Sequence, residues 1–331
     1  MNGTLRPVGI IGTGSYAPPR VLTNFDLEKM VDTSDEWIRT RTGIVERHIA
    51  EADVATSDLA THSATAAIAD AGLQPAQIGL VVVATVTPDT LFPCTASLLQ
   101  HAIGATKAAA FDVLVGCTGF VYALAAAGAM VGSGAYEYAV ISGADVLSKF
   151  TDWEDRRTCV LFGDAAGSVV IGPVEAGRGI LSYSLGNDGD GATEVLSLPA
   201  GGSRLPASAE TVAARQHYLK MVGQEVFKFA VRAMVESSEV AVRRAGLTME
   251  DIDVAIPHQA NLRIVDAAAK RLDIPFERFL RNGDRYGNTS AATIPVAMDE
   301  AARAGQIKRG DHLLLSSFGA GLSWASMVLR W

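Results

Sequence analysis

Cys117, His258 and Asn288 have the side-chain types and local settings that covalent acyl chemistry requires. Cys117 lies in Asp112-Val-Leu-Val-Gly-Cys-Thr-Gly-Phe120, which reads as a strand, a tight turn and then a helix. A thiol at a helix start meets unpaired N–H groups and the positive end of the helix dipole. That setting favours thiolate and predicts a lowered pKa. Glycines on both sides let a substrate carbonyl approach closely. His258 ends the apolar run Val254-Ala-Ile-Pro-His258, at the strand end where parallel α/β sheets place ligands. Asn288 stands in Tyr286-Gly-Asn-Thr-Ser-Ala-Ala292, at a turn that opens another helix. Each has a plainer reading: a small buried hydrophobe, a satisfied core histidine and a helix N-cap. Three such types at three equivalent loop ends favour the chemical reading over the three plain ones.

Other segments carry weaker signals. Ser317-Phe-Gly-Ala-Gly-Leu-Ser323 offers a backbone bend whose N–H groups suit an oxyanion. Gly12-Thr-Gly-Ser-Tyr-Ala17 is half a dinucleotide fingerprint, but Pro18 and Pro19 follow where the phosphate-binding helix should run. Cys94 and Cys159 lack the setting of Cys117 and are read as structural. The three cysteines form neither a disulfide framework nor a metal-ligand pattern.

The elements that must hold these residues alternate between short β-branched runs and Ala-rich helical stretches, the pattern of layered α/β proteins. Strands are predicted at Val8–Gly12, Leu80–Thr85, Ala139–Ser142, Ser168–Ile171, Gly179–Leu185, Val254–Ile256, His312–Ser316 and Ser326–Leu329. A long amphipathic helix is predicted from Tyr218 to Ala245. Its apolar face would carry Phe227, Val231, Met234, Val235, Ser238 and Val242, with Gly246 at its C-cap. The sequence repeats itself in outline. Ala71-Gly72-Leu73 precedes Ile78, an apolar strand and Pro88, while Ala245-Gly246-Leu247 precedes Ile252, an apolar strand and Pro257. Cys117 and Asn288 each precede a small-residue helix, predicted for the latter from Thr289 to Ala304. Two α/β halves are expected, residues 1–174 and 175–331, divided near Pro173–Arg178.

With 49% hydrophobic and 19% charged residues, the chain has material for a substantial core. Its net charge of −8 is a poor footprint for nucleic acid, whose phosphates need a concentrated basic surface. The opening MNGTLRPVGIIGTG reads as the approach to a first strand rather than as a signal peptide. The best apolar run, Phe120 to Met130, falls short of the roughly 18 residues of a membrane span. A reduced, cytoplasmic setting is expected.

Val115-Gly-Cys-Thr-Gly-Phe120, Pro257-His-Gln-Ala-Asn261 and Tyr286-Gly-Asn-Thr-Ser-Ala-Ala292 together resemble the β-ketoacyl-acyl-carrier-protein synthase III family. Ser34-Asp-Glu-Trp-Ile-Arg-Thr-Arg-Thr-Gly-Ile44 and Phe162-Gly-Asp164 extend the likeness over most of the chain. The resemblance implies the thiolase fold, with duplicated α/β halves in five αβαβα layers, and a homodimer. It implies that Cys117 takes an acyl group from acyl-CoA. His258 and Asn288 would support decarboxylation of malonyl-acyl-carrier protein, and the backbone N–H groups of Cys117 and Ala320 would form the oxyanion hole. The family usually has glycine where Ala320 stands; alanine keeps the N–H but narrows the backbone's freedom. Trp37 and Arg156 match residues that sandwich the CoA adenine, with Thr33 and Arg41 as further nucleotide contacts. Gly223 and Asn261 match the pantetheine tunnel. Phe92 matches a residue that reaches the partner's acyl pocket, and Leu147 one that lines it. Lys228, Arg263 and Lys270 match the dock for the acidic carrier protein. Their plain reading is a solvated face, and that of Trp37 is a core aromatic behind the capping box Thr33-Ser-Asp-Glu36. No cofactor is implied beyond the CoA thioester as substrate. A nicotinamide oxidoreductase, a Cys-His-Asn thioester hydrolase, and a polyketide-starter or ester-forming relative are the alternatives.

Overall fold

The computed structural model describes residues 5–190 and 195–331, so the first four residues of the opening stretch lie outside it. Its strands in chain order are β1 (Val8–Tyr16), β2 (Val21–Thr23), β3 (Glu46–His48), β4 (Ile78–Ala84) and β5 (Ala109–Val113). There follow β6 (Tyr138–Val146), β7 (Asp164–Pro173), β8 (Gly179–Asn187), β9 (Leu196–Ser197) and β10 (Lys220–Met221). The last are β11 (Val254–Pro257), β12 (His312–Gly319) and β13 (Ser323–Arg330). One sheet runs β1-β7-β6-β4-β5 and a second β11-β12-β13-β8. Read from β1, the first sheet pairs antiparallel, antiparallel, then parallel. Read from β8, the second repeats that sequence.

The same correspondence extends to buried side chains. Ser142 of β6 faces Ser168 of β7 at 2.6 Å, and Ser63 of the helix Thr56–Asp70 joins them at 2.7 Å. Ser316 of β12 faces Ser326 of β13 at 3.1 Å, with Ser238 of the helix Gly223–Arg244 in the same place. Each hydroxyl is buried, so each trio satisfies its polar atoms internally.

Strand β4 is apolar throughout because both its faces are covered. Leu80, Val82 and Ala84 join the central core, while Val81 and Val83 pack outward under the helices Thr56–Asp70 and Thr95–Ala102. That central core also takes the helices Gly119–Gly132 and Thr293–Arg303 and the inner face of the second sheet. The helices Gly223–Arg244 and Leu262–Leu272 cover the outer face of the second sheet. The result is five layers, αβαβα, with the two small-residue helices in the middle. Ala-rich faces let those helices sit between sheets at close range. Gly167 on β7 is a case in point, since a Cβ there would stand 2.6 Å from the Val296 backbone nitrogen in the helix Thr293–Arg303.

Every strand predicted from an apolar run is present and most are longer than predicted, while β4 starts two residues earlier and ends at Ala84 rather than Thr85. The long helix begins at Gly223 rather than Tyr218, because Lys220 and Met221 are drawn into pairing with Ser197 and Leu196. Phe227 and Val235, expected on its buried face, are only half-buried, and Val226, Phe229 and Ala230 take the inner positions. Ala245 caps the helix, and Gly246 follows it at φ +74°. The helix after Asn288 begins at Thr293, four residues later than Thr289. Ser290 adopts φ +51°, outside the right-handed helical region, so a short 3-10 turn must come first.

Candidate active site

Cys117, His258 and Asn288 line one narrow cavity of about 100 Å³, together with Phe162, Phe318 and Gly319. Cys117 precedes Thr118, whose backbone caps the helix Gly119–Gly132. His258 follows β11, and its backbone N–H donates to the Ser316 carbonyl at 2.8 Å. Asn288 is tied to the other half of the site: its N–H donates to Leu161 O at 2.8 Å, and its carbonyl accepts from Gly163 N at 3.0 Å. Gly163 and Gly287 leave room for this strand-like contact, with Arg47 beneath both. Arg47 is fully buried and bonds the carbonyls of Leu22 and Val160 and the amide oxygen of Asn24.

The amide of Asn288 has a defined orientation. Its Oδ1 accepts from the Ser290 backbone N–H at 2.9 Å, which leaves the Nδ2 hydrogens as donors. His258 is buried; its Nδ1 meets the Thr293 hydroxyl at 3.2 Å, and its Nε2 is buried without a partner. Burial lowers its pKa to about 3, so the imidazole is neutral at physiological pH. The Phe318 ring lies 5.1 Å away, tilted by 57°.

The thiol departs from expectation. Cys117 is reached through the cavity, yet protein atoms crowd its sulfur, and burial pushes its pKa up to about 12. Burial outweighs the lowering by the neighbouring Ser290 hydroxyl and by the residue's own backbone N–H, and the Asp145 carboxylate adds to the rise. The site therefore holds a neutral thiol and a neutral imidazole at physiological pH.

Two glycines bring the proposed oxyanion donors together. Gly116, at φ +55°, would place a Cβ 2.8 Å from the Ala320 nitrogen, and Gly319 would place one 2.6 Å from the Cys117 nitrogen. Only hydrogen at both positions lets the two backbones approach. Ala320 itself occupies the turn between β12 and β13.

From Cys117 a second, larger cavity of about 630 Å³ opens, lined by Val86, Thr87, Leu147, Phe162, Leu198 and Leu219 among others. Leu147 is buried against it. Phe92 is 84% exposed, beside Leu91 at 79%, and does not line this cavity within its own chain. Gly223 and Asn261 line the narrow cavity; Asn261 also caps the helix Leu262–Leu272 and donates to Arg41 O at 3.0 Å.

At the surface, Trp37 has guanidinium groups over its ring from Arg41 at 5.9 Å and Arg156 at 5.5 Å. Thr33 lies one residue before the Ser34 cap of this helix, and its hydroxyl is buried without a partner. Arg263 and Lys270 are exposed on one helix, Arg263 over the Phe227 ring at 5.9 Å. Lys228 is exposed on the helix Gly223–Arg244 and pairs with Glu225 at 3.0 Å.

Several contributors carried no sequence signal. Asp145, buried with its pKa raised by burial, accepts from Thr85, Val86 and Thr87 in the wall of the larger cavity. Ser290 sets its hydroxyl between Cys117 and Asp145 without a hydrogen bond of good geometry to either. Thr293 and Phe318 frame the His258 ring. Cys94 bonds Ser97 Oγ at 3.1 Å, Cys159 is buried with its pKa raised to about 11, and neither lines the two cavities. Gly12-Thr-Gly-Ser15 is part of β1; Gly12 admits the Ala67 carbonyl, and Thr13 and Ser15 bond Asp299 at 2.8 and 2.6 Å.

Comparison with known proteins agrees with this geometry. Residues 111–189 match the family described as 3-oxoacyl-[acyl-carrier-protein (ACP)] synthase III, and residues 242–331 its C-terminal part. A β-ketoacyl-[acyl-carrier-protein] synthase III of Caldanaerobacter subterraneus subsp. tengcongensis is 57% identical over 323 residues, covering 98% of this chain and 97% of that one. The solved synthase III of Thermus thermophilus is 50% identical with a TM-score of 0.91, covering 98% of this chain and 99% of that one. The priming β-ketosynthase of the R1128 polyketide pathway is 35% identical with a TM-score of 0.93, covering 99% and 97%. Matched along nearly its whole length at this identity, and folded in the same five layers, the chain belongs to the β-ketoacyl-[acyl-carrier-protein] synthase III family.

Proposed function

We propose that this chain joins an acyl-CoA primer to malonyl-acyl-carrier protein by decarboxylative Claisen condensation, the initiating step of fatty acid synthesis. The observation that carries the reading is the convergence of a thiol, a neutral buried imidazole and an oriented amide on one cavity. In the first half-reaction the Cys117 sulfur attacks the acyl carbonyl. The CoA carbon–sulfur bond breaks, and the thiol proton departs on CoA. Tetrahedral oxyanions are held by the N–H groups of Cys117 and Ala320.

In the second half-reaction the malonyl carboxylate leaves as carbon dioxide, and its electron pair becomes an enolate. His258 Nε2–H and Asn288 Nδ2–H stabilise the enolate oxygen. Neutral donors suit this step, because an imidazolium would also stabilise the carboxylate that must depart. The enolate carbon then attacks the acyl thioester and expels Cys117 as a thiolate, which takes a proton from water to restore the resting thiol. Removing one preorganised donor of this kind costs on the order of 3–4 kcal/mol of barrier.

The remaining assignments belong to the same proposal. Residues 1–174 and 175–331 are the two duplicated halves, and the repeated strand order and serine trios support that division. Trp37, Arg156, Thr33 and Arg41 receive the CoA nucleotide, and Gly223 and Asn261 border the pantetheine. Leu147, with Phe92 of a second copy, shapes the acyl pocket of a homodimer. Lys228, Arg263 and Lys270 dock the carrier protein. No cofactor takes part, and a cytoplasmic setting fits an enzyme of carrier-bound acyl groups. No described helix is long and apolar enough to cross a membrane. The similarity to a polyketide priming enzyme supports a second reading, with the same chemistry in another pathway. Mass spectrometry of the intact protein with a panel of acyl-CoAs, followed by malonyl-acyl-carrier protein, tests the proposal. One acyl adduct on Cys117 that is discharged as a β-ketoacyl product is expected. Rapid release of free acid would replace the condensing enzyme with a hydrolase.

A further inference from the structure

We propose that Thr293, backed by Thr289, is a positioning residue that fixes the His258 tautomer with its proton on Nε2. Thr289 Oγ1 lies 3.1 Å from Thr293 Oγ1, which lies 3.2 Å from His258 Nδ1. All three residues are buried, so this short chain of polar atoms is closed to bulk water. The imidazole is neutral, so it carries one ring proton, and the hydroxyls decide where.

Two proton arrangements satisfy the distances. If His258 Nδ1–H donates to Thr293, then Thr293 donates to Thr289, and the Thr289 hydroxyl proton is left without an acceptor in the chain. If Thr289 donates to Thr293, then Thr293 donates to Nδ1, and every hydroxyl proton is used. The second arrangement puts the ring proton on Nε2, the atom that is buried without a protein partner. Nε2 belongs to a residue lining the cavity that also holds Cys117 and Asn288. Each arrangement leaves one buried donor unpartnered, the Thr289 hydroxyl in the first and His258 Nε2–H in the second, and only His258 lines a cavity where a ligand can complete it. The two threonines thus hold a hydrogen-bond donor ready for the oxygen that gains charge.

The inference rests on the condensing reading for its kinetic consequence, but the tautomer is measurable on the free protein. In protein labelled with ¹⁵N-histidine, two-bond ¹H–¹⁵N correlations at neutral pH report which nitrogen is protonated, with His258 assigned by its loss in His258→Asn. Wild type and Thr293→Ser should carry the proton on Nε2. Thr293→Val keeps the shape and removes the hydroxyl. It should lower kcat for decarboxylation about tenfold, less than the loss of a whole donor. KM for malonyl-acyl-carrier protein and the rate of acyl transfer should stay at wild-type values, and Thr293→Ser should restore kcat. A wild-type spectrum with the proton on Nδ1 overturns the proposal, as does wild-type decarboxylation by Thr293→Val. If Thr293→Val does not fold, the spectra of wild type and Thr293→Ser still decide. Should wild type fail to decarboxylate the malonyl substrate at all, the proposed function falls while the spectrum still judges the tautomer.

Discussion

Gly319 lies against Cys117 so closely that a Cβ on the glycine would stand 2.6 Å from the cysteine backbone nitrogen. That approach brings the Cys117 and Ala320 N–H groups to one place, and a methyl group at residue 319 must separate them. Gly319→Ala should therefore lower the acylation rate about 10²- to 10³-fold, the usual effect of losing an oxyanion donor. The variant should lose about 1–3 kcal/mol of stability from overpacking, measurable by denaturant unfolding. Acylation at the wild-type rate would show that the two N–H groups do not act as a pair.

The neutral His258 has a consequence for acid stability. Its folded pKa is about 3 against an ordinary 6.5, so the unfolded chain binds a proton that the folded chain refuses. The stabilisation is present above pH 6.5 and is lost as pH falls toward 3. By pH 4.5 the loss is on the order of 2–3 kcal/mol. His258→Asn removes the titrating group, so its stability should fall less between pH 6.5 and 4.5 than that of the wild type. Parallel stability curves for the two proteins would place a charged imidazole in the site.

The guanidinium groups of Arg41 and Arg156 lie over the Trp37 ring at 5.9 and 5.5 Å from its centroid, a stacking setting that an adenine ring would enter. Trp37→Ala should raise KM for acyl-CoA about tenfold, within the range of base stacking on an aromatic ring. Acyl transfer from a pantetheine thioester lacking the nucleotide should be unchanged. An equal loss with both donors would assign Trp37 to packing rather than to the nucleotide.

Much of this was legible before the fold was known, and for physical reasons. Cys117, His258 and Asn288 stand at ends of elements whose apolar runs and small-residue helices are written locally. The β4 run is apolar on both faces because both are covered, and that too is local. What stayed hidden depends on contacts far apart in sequence. The lowered thiol pKa expected from a helix start gives way to a raised one because burial of the sulfur dominates. Ser290 has φ +51° in a run that looks helical, so the helix start was placed four residues early. Thr293 and Asp145 act through neighbours brought from other parts of the chain, and nothing adjacent to them announces it.

Arg263 and Lys270 are exposed, seven residues apart, on the helix that Asn261, a residue lining the narrow cavity, caps. Arg263→Glu should raise KM for malonyl-acyl-carrier protein while leaving acylation by acyl-CoA nearly intact. The difference should shrink with added salt, since exposed charges are screened over about 10 Å at 0.1 M. A salt-independent defect, or equal loss in both half-reactions, would count against a docking role.

The division of labour among Cys117, His258 and Asn288 is tested most directly by the half-reactions of Asn288→Ala. Asn288 presents an oriented amide to the cavity and has no part in moving the thiol proton. Acyl-enzyme mass and carbon dioxide release should be followed side by side, with Cys117→Ala as the complement. The account predicts that Asn288→Ala still acquires an acyl group from acyl-CoA but decarboxylates malonyl-acyl-carrier protein at least about a hundredfold more slowly. Cys117→Ala should do the reverse, losing the adduct and keeping measurable decarboxylation. Normal carbon dioxide release by an Asn288→Ala protein that cannot be acylated would contradict the account.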